Sequence, residues 1–275
     1  MSFTHVVVGG GSAGCVLANR LSEDPQKNVA LIEAGADFSP DETPEDILDT
    51  YAGRALGNRD YFWDLRVLRG DDVPHLDPQD RLPLRYEQAR VIGGGSSING
   101  QVALRGIPAE FDRWHQLGAT GWDWAGVLPY FKKLEKDLDF DNPMHGQDGP
   151  IPIRRYFRSD WDQFTGAVAR QWESEGYNYF EDLNGMWDDG FSPIPVSNNG
   201  KTRVSTAMGY LTSVVRSRSN LTILSRTEVK KLLIDPELRA TGVLGRVNTN
   251  SDRGDLVGQS RAWRLRPHNS PPLST

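Results

Sequence analysis

The sequence contains one cysteine, Cys15, so it cannot form an intramolecular disulfide. It has no uncharged apolar run of about twenty residues, the length that a helix needs to cross a bilayer. Its first residues run directly into a β-branched stretch and a glycine turn, without the basic, apolar and cleavage regions of a secretory signal. We therefore predict a cytoplasmic protein with no membrane span, and a reducing compartment suits the lone thiol.

An excess of basic residues is also missing. The chain carries 31 Lys and Arg against 37 Asp and Glu, a formal net charge of −6. Because nucleic acids and anionic membranes are bound mainly by clustered Lys and Arg, we predict no nucleic-acid partner. The length of 275 residues suits a multilayer α/β enzyme of one or two domains.

The amino-terminal part of the chain has the pattern of a βαβ unit. Residues 5–8 are mostly β-branched, residues 12–22 have apolar side chains at helical spacing, and residues 29–32 predict a second buried strand. Two strands joined by a helix over so short a distance are expected to be parallel, with a right-handed crossover.

A glycine motif links the first predicted strand to the helix. The segment Gly9-Gly10-Gly11-Ser12-Ala13-Gly14 satisfies G-x-G-x-x-G, in which the glycines permit a tight turn, close approach to a diphosphate and close helix packing. The amino end of the helix favours an anion. Glu33 ends the second strand, where its carboxylate can accept hydrogen bonds from ribose hydroxyls and disfavours a 2′-phosphate. The motif predicts a dinucleotide site, although FAD and NAD both use it and a simple glycine turn is the alternative.

A second glycine-rich loop lies at residues 89–100. It runs Ala89-Arg90-Val91-Ile92-Gly93-Gly94-Gly95-Ser96-Ser97-Ile98-Asn99-Gly100 and resembles the signature of the glucose-methanol-choline (GMC) oxidoreductases. Further segments resemble the same family, among them Glu33-Ala34-Gly35, residues 108–114 and residues 145–150. The resemblance covers about residues 3–247 and favours FAD over NAD, because in the family this loop lies along the flavin and its diphosphate.

The resemblance implies a set of FAD-binding residues. Some family members bind the flavin covalently through a histidine at the position of Ile98, so we predict non-covalent FAD here. Val229 corresponds to a position where the family holds the adenine through main-chain atoms, although packing in a strand would equally explain a valine. A flexible glycine hinge is the alternative for the second loop. The predicted cofactor contacts are Gly9, Gly11, Ser12, Ala13, Gly14, Glu33, Ala34, Arg90, Val91, Gly94, Ser96, Asn99, Gly100, Val102 and Val229.

The implied fold class is α/β: a Rossmann-like FAD-binding βαβ sheet with a partial α+β substrate domain, truncated relative to the family. We predict a FAD-binding domain at 1–155, including a cofactor-covering loop at 36–88, and a partial substrate domain at 156–220. Residues 221–247 return to the FAD-binding domain as strands. We expect the atypical tail at 248–275 to be disordered or read in a shifted frame, because it offers no strand to finish a sheet.

The implied activity is that of a FAD-dependent oxidoreductase acting on CH–OH donors. At full length its partners would be a small-molecule alcohol and an electron acceptor. The family's catalytic histidine lies in a carboxy-terminal segment with no counterpart here, so we predict no catalytic residue in this chain, and no metal site. The alternatives are a catalytically inactive FAD-binding remnant, a hydroxynitrile lyase at full length, and a nicotinamide-dependent dehydrogenase.

Overall fold

A computed structural model of the chain describes residues 2–67, 83–249 and 257–265. Its strands, in chain order, are β1 (Ser2–Phe3), β2 (His5–Val8), β3 (Val29–Ile32), β4 (Leu65–Val67), β5 (Leu84–Tyr86), β6 (Glu135–Asp137), β7 (Ile151–Ile153), β8 (Asn178–Tyr179), β9 (Gly190–Phe191), β10 (Leu221–Leu224), β11 (Thr227–Ile234), β12 (Ala240–Thr249) and β13 (Val257–Leu265). Its α-helices are α1 (Ser12–Leu21), α2 (Glu45–Leu48), α3 (Gly53–Gly57), α4 (Gly95–Ile98), α5 (Pro108–Gln116), α6 (Trp124–Leu134), α7 (Gln163–Ser174), α8 (Thr206–Tyr210) and α9 (Ser213–Arg216). In the described part of the chain, no helix is both long and apolar enough to span a bilayer.

The chain divides into two compact units. The first unit contains Met1–Ile47, Gly53–Ile98 and Thr206–Thr275, and the second contains Leu48–Ala52 and Asn99–Ser205. Apart from the short segment Leu48–Ala52, the units therefore change at 98/99 and 205/206, whereas the sequence predicts boundaries at 155/156 and 220/221. The second glycine-rich loop is divided by the first of these changes, which the continuous motif does not reveal.

The first unit contains the predicted βαβ arrangement. β3 pairs in parallel with β2 on one side and with β10 on the other. All four residues of β3 are buried, because it is the central strand and both of its faces are covered. Ala30 and Ile32 pack in a cluster with Phe3, Val243 and Trp263, and Leu31 approaches Gly14 of α1. The sequence-based prediction of a parallel βαβ unit is confirmed.

The same unit contains a four-stranded sheet of order β1-β13-β12-β11. The three long strands β11, β12 and β13 pair with one another in antiparallel fashion, and β1 pairs in parallel with β13. Trp263 of β13 is only 4% exposed and belongs to the cluster under β3. The prediction that residues 248–275 offer no strand is therefore wrong for Val257–Leu265, which β12 and β1 hold in the sheet. Residues 250–256 and 266–275 lie outside the described part.

Residues 36–67 contain short elements around a small core. Ile47, Ala55, Tyr61 and Phe62 pack with Val91 and Ile98, and the Tyr61 hydroxyl donates to Asp46 at 2.8 Å. Leu65–Val67 and Leu84–Tyr86 form an antiparallel pair. The predicted excursion at 36–88 thus has elements of only three to five residues where it is described, and residues 68–82 lie outside the described part.

The second unit contains α5, α6 and α7 and two two-stranded parallel sheets, β6–β7 and β8–β9. Its interior contains an ion-pair cluster of buried charged side chains. The carboxylates of Glu135 and Asp137, both in β6, contact Nδ1 of His145. Glu135 is also paired with the guanidinium of Arg105, and Asp137 with that of Arg155. Since each buried charge is paired, the cluster can hold the loop at 142–150 against β6 without leaving an isolated charge.

Candidate dinucleotide site

The first glycine turn connects β2 to α1, and glycine is required at two of its positions. Gly9 has a φ of 92°, in the region that residues with a side chain rarely adopt. A Cβ atom on Gly14 would overlap the carbonyl oxygen of Gly9. Gly11 has a different environment, because a Cβ atom there would have no neighbouring atom within 4 Å. The space over Gly11 is therefore open to a ligand.

The amino end of α1 has neither a side-chain cap nor a nearby acidic residue in its first turn. Gly11 is the N-cap. Ser12 and Ala13 are exposed there, and the Ser12 hydroxyl donates to the Gly93 carbonyl at 3.3 Å and not to the helix. Such a helix end attracts an anion through its N–H groups and its dipole.

Glu33, just after β3, is bonded to the main chain on both carboxylate oxygens. Oε2 accepts from Gly10 N at 2.7 Å and Oε1 accepts from Gly35 N at 2.8 Å. The side chain is 6% exposed, and burial raises the pKa of its carboxyl, against the opposite effect of the N–H groups of Gly35 and Gly10. A carboxylate oxygen can accept more than one hydrogen bond, so the two main-chain bonds do not by themselves prevent contact with a ribose.

The second glycine turn packs directly on the first. Gly93 N donates to Gly10 O at 2.7 Å, and a Cβ atom on Gly94 would stand 2.7 Å from Gly11 Cα. Ser96 Oγ donates to Gly93 O at 2.6 Å and lies 3.0 Å from Thr206 Oγ1. The two motifs, far apart in the sequence, thus form one surface at the amino end of α1.

A cavity of about 570 Å³ is lined in part by Ala34 and Gly35, the two residues that follow Glu33 in the sequence. Ala34 and Arg90, both predicted contacts, line it together with Arg226. The Arg90 guanidinium lies 5.0 Å from the centre of the Trp63 ring, an arrangement that holds the cation in place. The charged residues of its lining are three arginines, Arg59, Arg90 and Arg226, and one carboxylate, Asp60, so the lining carries a net positive charge.

Two predicted contacts in the first unit have side chains committed to packing. Val91 is 1% exposed and lies in the cluster with Tyr61 and Ile98, so only its main chain is available to a ligand. Val229 lies in β11 opposite Gly245 and packs against the cluster that contains Trp263. Packing, the alternative weighed for Val229, accounts for the valine, and its adenine contact stays a prediction.

Three predicted contacts belong to the second unit. Asn99 Oδ1 accepts from Gln101 N at 3.0 Å and from Arg203 Nη1 at 3.1 Å. Gly100 is exposed, and Val102 is half exposed and forms a bridge with Val196. Arg203 fixes the orientation of the Asn99 amide, so that its –NH₂ group is left for other partners. The roles of Asn99, Gly100 and Val102 toward a cofactor stay predictions.

Each described histidine has a partner within its own part of the protein. His145 belongs to the ion-pair cluster: burial lowers the pKa of its imidazole, but hydrogen bonds to Asp137, Asp182 and Glu135 outweigh that effect and raise the pKa to about 10. His115 lies 3.6 Å from Asp123 on the surface, and His5 contacts Thr4. His75 and His268 lie outside the described part.

Glu135, Asp137 and His145 have the spacing of a metal-ligand set. Their carboxylates are already paired with Arg105 and Arg155. A protonated imidazole also has no lone pair to offer a cation. The arrangement is accounted for as a set of ion pairs.

Sequence reasoning missed Gly10, Gly93 and Thr206 as parts of the site. Gly10 and Gly93 stand inside the two motifs, and their hydrogen bond could have been suspected from the adjacent glycines. Thr206 has no such signal, because nothing in its local sequence indicates that it lies beside Ser96.

A parallel βαβ unit with two glycine turns at the amino end of its helix defines a Rossmann-like α/β protein of the nucleotide-binding type. The sequence model described as GMC oxidoreductase matches residues 3–259, and the chain belongs to the GMC oxidoreductase family, of which it represents the amino-terminal portion.

The chain is 45% identical over 236 residues to 5-(hydroxymethyl)furfural oxidase of Methylovorus sp. strain MP688, a match that covers 84% of this chain and 44% of that protein. It is 37% identical to mouse mitochondrial choline dehydrogenase, over 88% of this chain and 39% of the relative. The crystal structure of pyridoxine 4-oxidase from Mesorbium loti superposes with a TM-score of 0.81 at 30% identity, covering 96% of this chain and 48% of that one. The chain therefore spans less than half the length of these relatives.

Proposed function

We propose that this chain binds FAD non-covalently, and that the whole protein to which it belongs oxidises a small alcohol. Bound flavin supplies a hydride acceptor for the CH–OH group. The observation that carries the proposal is the contact between the two glycine turns, at Gly11 and Gly94, over the amino end of α1.

The diphosphate of FAD fits the surface over Gly11. The open space above Gly11, the uncapped helix end and the absence of an acidic side chain in the first turn are what a diphosphate requires. The exposed Ser12 and Ala13 offer main-chain N–H groups there. Gly9 and Gly14 shape the turn, and Gly94 and Ser96 support it from the second loop.

The adenosine end of FAD fits the neighbouring surface. The carboxylate oxygens of Glu33 can each accept more than one hydrogen bond, which allows a ribose hydroxyl as a further donor, and the charge of Glu33 disfavours a 2′-phosphate. Ala34 and Arg90 line the adjoining cavity, where the guanidinium supplies positive charge near the diphosphate. These features support FAD over NADP.

Ile98 supports a non-covalent mode of binding. It occupies the position of the linking histidine in other family members, it is 6% exposed, and it packs with Tyr61 and Phe62. A buried alkyl side chain has no nucleophile to attach a flavin. Acid precipitation of flavin-loaded protein should therefore release all the flavin to the supernatant, whereas flavin that stays with the pellet would contradict this mode.

The described histidines have other partners: His145 is held in the ion-pair cluster, His115 lies beside Asp123, and His5 contacts Thr4. We infer that this chain alone binds the cofactor without oxidising the alcohol. The names of its relatives, a 5-(hydroxymethyl)furfural oxidase and a choline dehydrogenase, favour a hydroxymethyl group as the oxidised group of the whole protein. The cytoplasmic location stays a prediction, and the mouse relative is described as mitochondrial.

The direct test is the flavin absorbance of the purified chain after incubation with FAD and gel filtration. Gly11→Val fills the space over the helix end, so the purified variant should show no flavin absorbance. Gly57→Val is the matched control, because a Cβ atom at Gly57 also has no neighbour within 4 Å, and it should leave flavin binding unchanged. Equal flavin retention by both variants would contradict the proposed site.

A further inference from the structure

Glu33 connects three segments of the first unit. Its carboxylate accepts from Gly10 in the first glycine turn and from Gly35 after β3, at 2.7 and 2.8 Å. Gly10 in turn accepts from Gly93 in the second turn, at 2.7 Å. One buried carboxylate is therefore connected, through the single residue Gly10, to both glycine turns.

The packing around Gly10 is arranged for this contact. Gly10 is buried, and a Cβ atom there would stand 3.1 Å from Glu33 Cβ and 2.5 Å from Ile92 Cδ1. The absence of a side chain at Gly10 lets its N–H group approach the carboxylate. Glu33 is 6% exposed, so these charge-assisted bonds are shielded from water.

We propose that Glu33 is a positioning residue that fixes the two glycine turns in the chain before any nucleotide is bound. This role does not require contact with a ribose. It rests on the proposed function only in that the fixed turns are assigned to nucleotide binding. Without the carboxylate, Gly10 N–H and Gly35 N–H would be buried donors lacking an acceptor. The turn at Gly11 would then lose the conformation that offers its N–H groups to a diphosphate.

Glu33→Gln tests the role, because the amide keeps one acceptor oxygen but turns an –NH₂ group toward the other donor. Amide hydrogen exchange of the chain without FAD should be about tenfold faster, or more, at whichever of Gly10 and Gly35 faces the –NH₂ group, since that N–H loses its acceptor. Amides of β11 and β12 should exchange at their original rate. Glu23→Gln is the control, because it removes the same charge from an exposed pair with Arg20 and should change no exchange rate in either turn. Unchanged exchange at Gly10 and Gly35 in Glu33→Gln would overturn the proposal.

A second measurement uses the unsubstituted chain, in case Glu33→Gln does not fold. The backbone amide shifts of Gly10 and Gly35 should follow the protonation of the Glu33 carboxyl with one midpoint. Arg90 is the charged neighbour that opposes this protonation. If the two amide shifts do not move with the carboxyl, Glu33 does not hold the turns.

Inorganic pyrophosphate separates this role from ribose binding, because it has no ribose. If Glu33 fixes the turn, Glu33→Gln should weaken pyrophosphate binding by about tenfold. If Glu33 acted only on a ribose, the loss of a nearby negative charge would leave pyrophosphate binding equal or tighter. Failure of the unsubstituted chain to bind either pyrophosphate or FAD would contradict the proposed function, while the exchange rates would still decide the role of Glu33.

Discussion

Gly94 lies directly against Gly11: a Cβ atom on Gly94 would stand 2.7 Å from Gly11 Cα. Real Cβ atoms do not approach a main-chain carbon so closely, so neither turn can keep its present position if Gly94 acquires a side chain. The contact explains why the second motif requires glycine at Gly94. It also makes the shape of one turn depend on the other.

The first prediction is that Gly94→Ala weakens FAD binding by about tenfold or more and lowers the melting temperature. The methyl group meets Gly11, and the φ of 54° at this position is costly for alanine. Flavin fluorescence titration and thermal unfolding provide the measurements. Gly95→Ala, where a Cβ atom has no neighbour within 4 Å, is the control. Comparable FAD affinity in the two variants would show that the two turns are not in contact.

The second prediction is that Gly14→Ala destabilises the first unit by about 1–3 kcal/mol or more, because the new methyl group overlaps the Gly9 carbonyl. Gly166→Ala is the opposite case. Gly166 lies within α7, and a Cβ atom there meets only the mobile end of Arg170 at 3.4 Å, so alanine should stabilise that helix by about 0.5–1 kcal/mol. Urea unfolding followed by circular dichroism compares them. A Gly14→Ala chain as stable as the original would contradict the close packing of α1 on β2.

The third prediction concerns pH. The pKa of His145 is raised from 6.5 in the unfolded chain to about 10 in the folded one. The stability that its charge contributes is therefore fully present below pH 6.5 and is lost as pH rises toward 10. Urea midpoints measured at several pH values should fall across this window.

In His145→Gln the urea midpoint should change less across the same pH range. This variant is also expected to be less stable at pH 6, because Asp137 and Asp182 lose a buried positive partner. His115→Gln, at an exposed position, serves as the matched control and should leave both the midpoint and its pH dependence nearly unchanged. A His145→Gln chain with the original pH profile would show that His145 is not the titrating group.

The fourth prediction tests β13. Trp263→Ala should destabilise the first unit by about 3–5 kcal/mol, since a buried tryptophan is removed from the cluster with Phe3 and Val243. Arg264→Ala, on the exposed side of the same strand, should cost little. If both substitutions leave the unfolding midpoint unchanged, residues 257–265 do not belong to the sheet.

The sequence predicts the βαβ unit well, because its strands are short β-branched runs and its helix has a glycine turn before it. Strands were also expected within residues 221–247, where the structure has β10, β11 and most of β12. The strand at 257–265 was missed. Its apolar residues are scattered, and Trp263 is buried only because β12 and β1 lie beside it, which no local pattern records.

The site was predicted in part for a similar reason. The glycine motifs and Glu33 can be recognised by spacing, and the structure brings Gly11, Gly94 and Glu33 into one arrangement. The main-chain bonds of Glu33 could not be predicted, because the motif assigns its carboxylate to a ribose and says nothing of Gly10 N–H and Gly35 N–H. The division of the second loop at 98/99 depends on which residues pack together, and a continuous motif does not show that.

The central claim is that the two glycine turns form a binding surface for FAD, and equilibrium titration of the flavin-free chain with FAD tests it most directly. The account predicts saturable binding of one FAD per chain, competition by ADP, and little competition by 2′-phosphorylated ADP because Glu33 repels the additional phosphate. A chain with the circular dichroism of a folded α/β protein that binds no FAD, or that binds the 2′-phosphorylated nucleotide equally well, would contradict it.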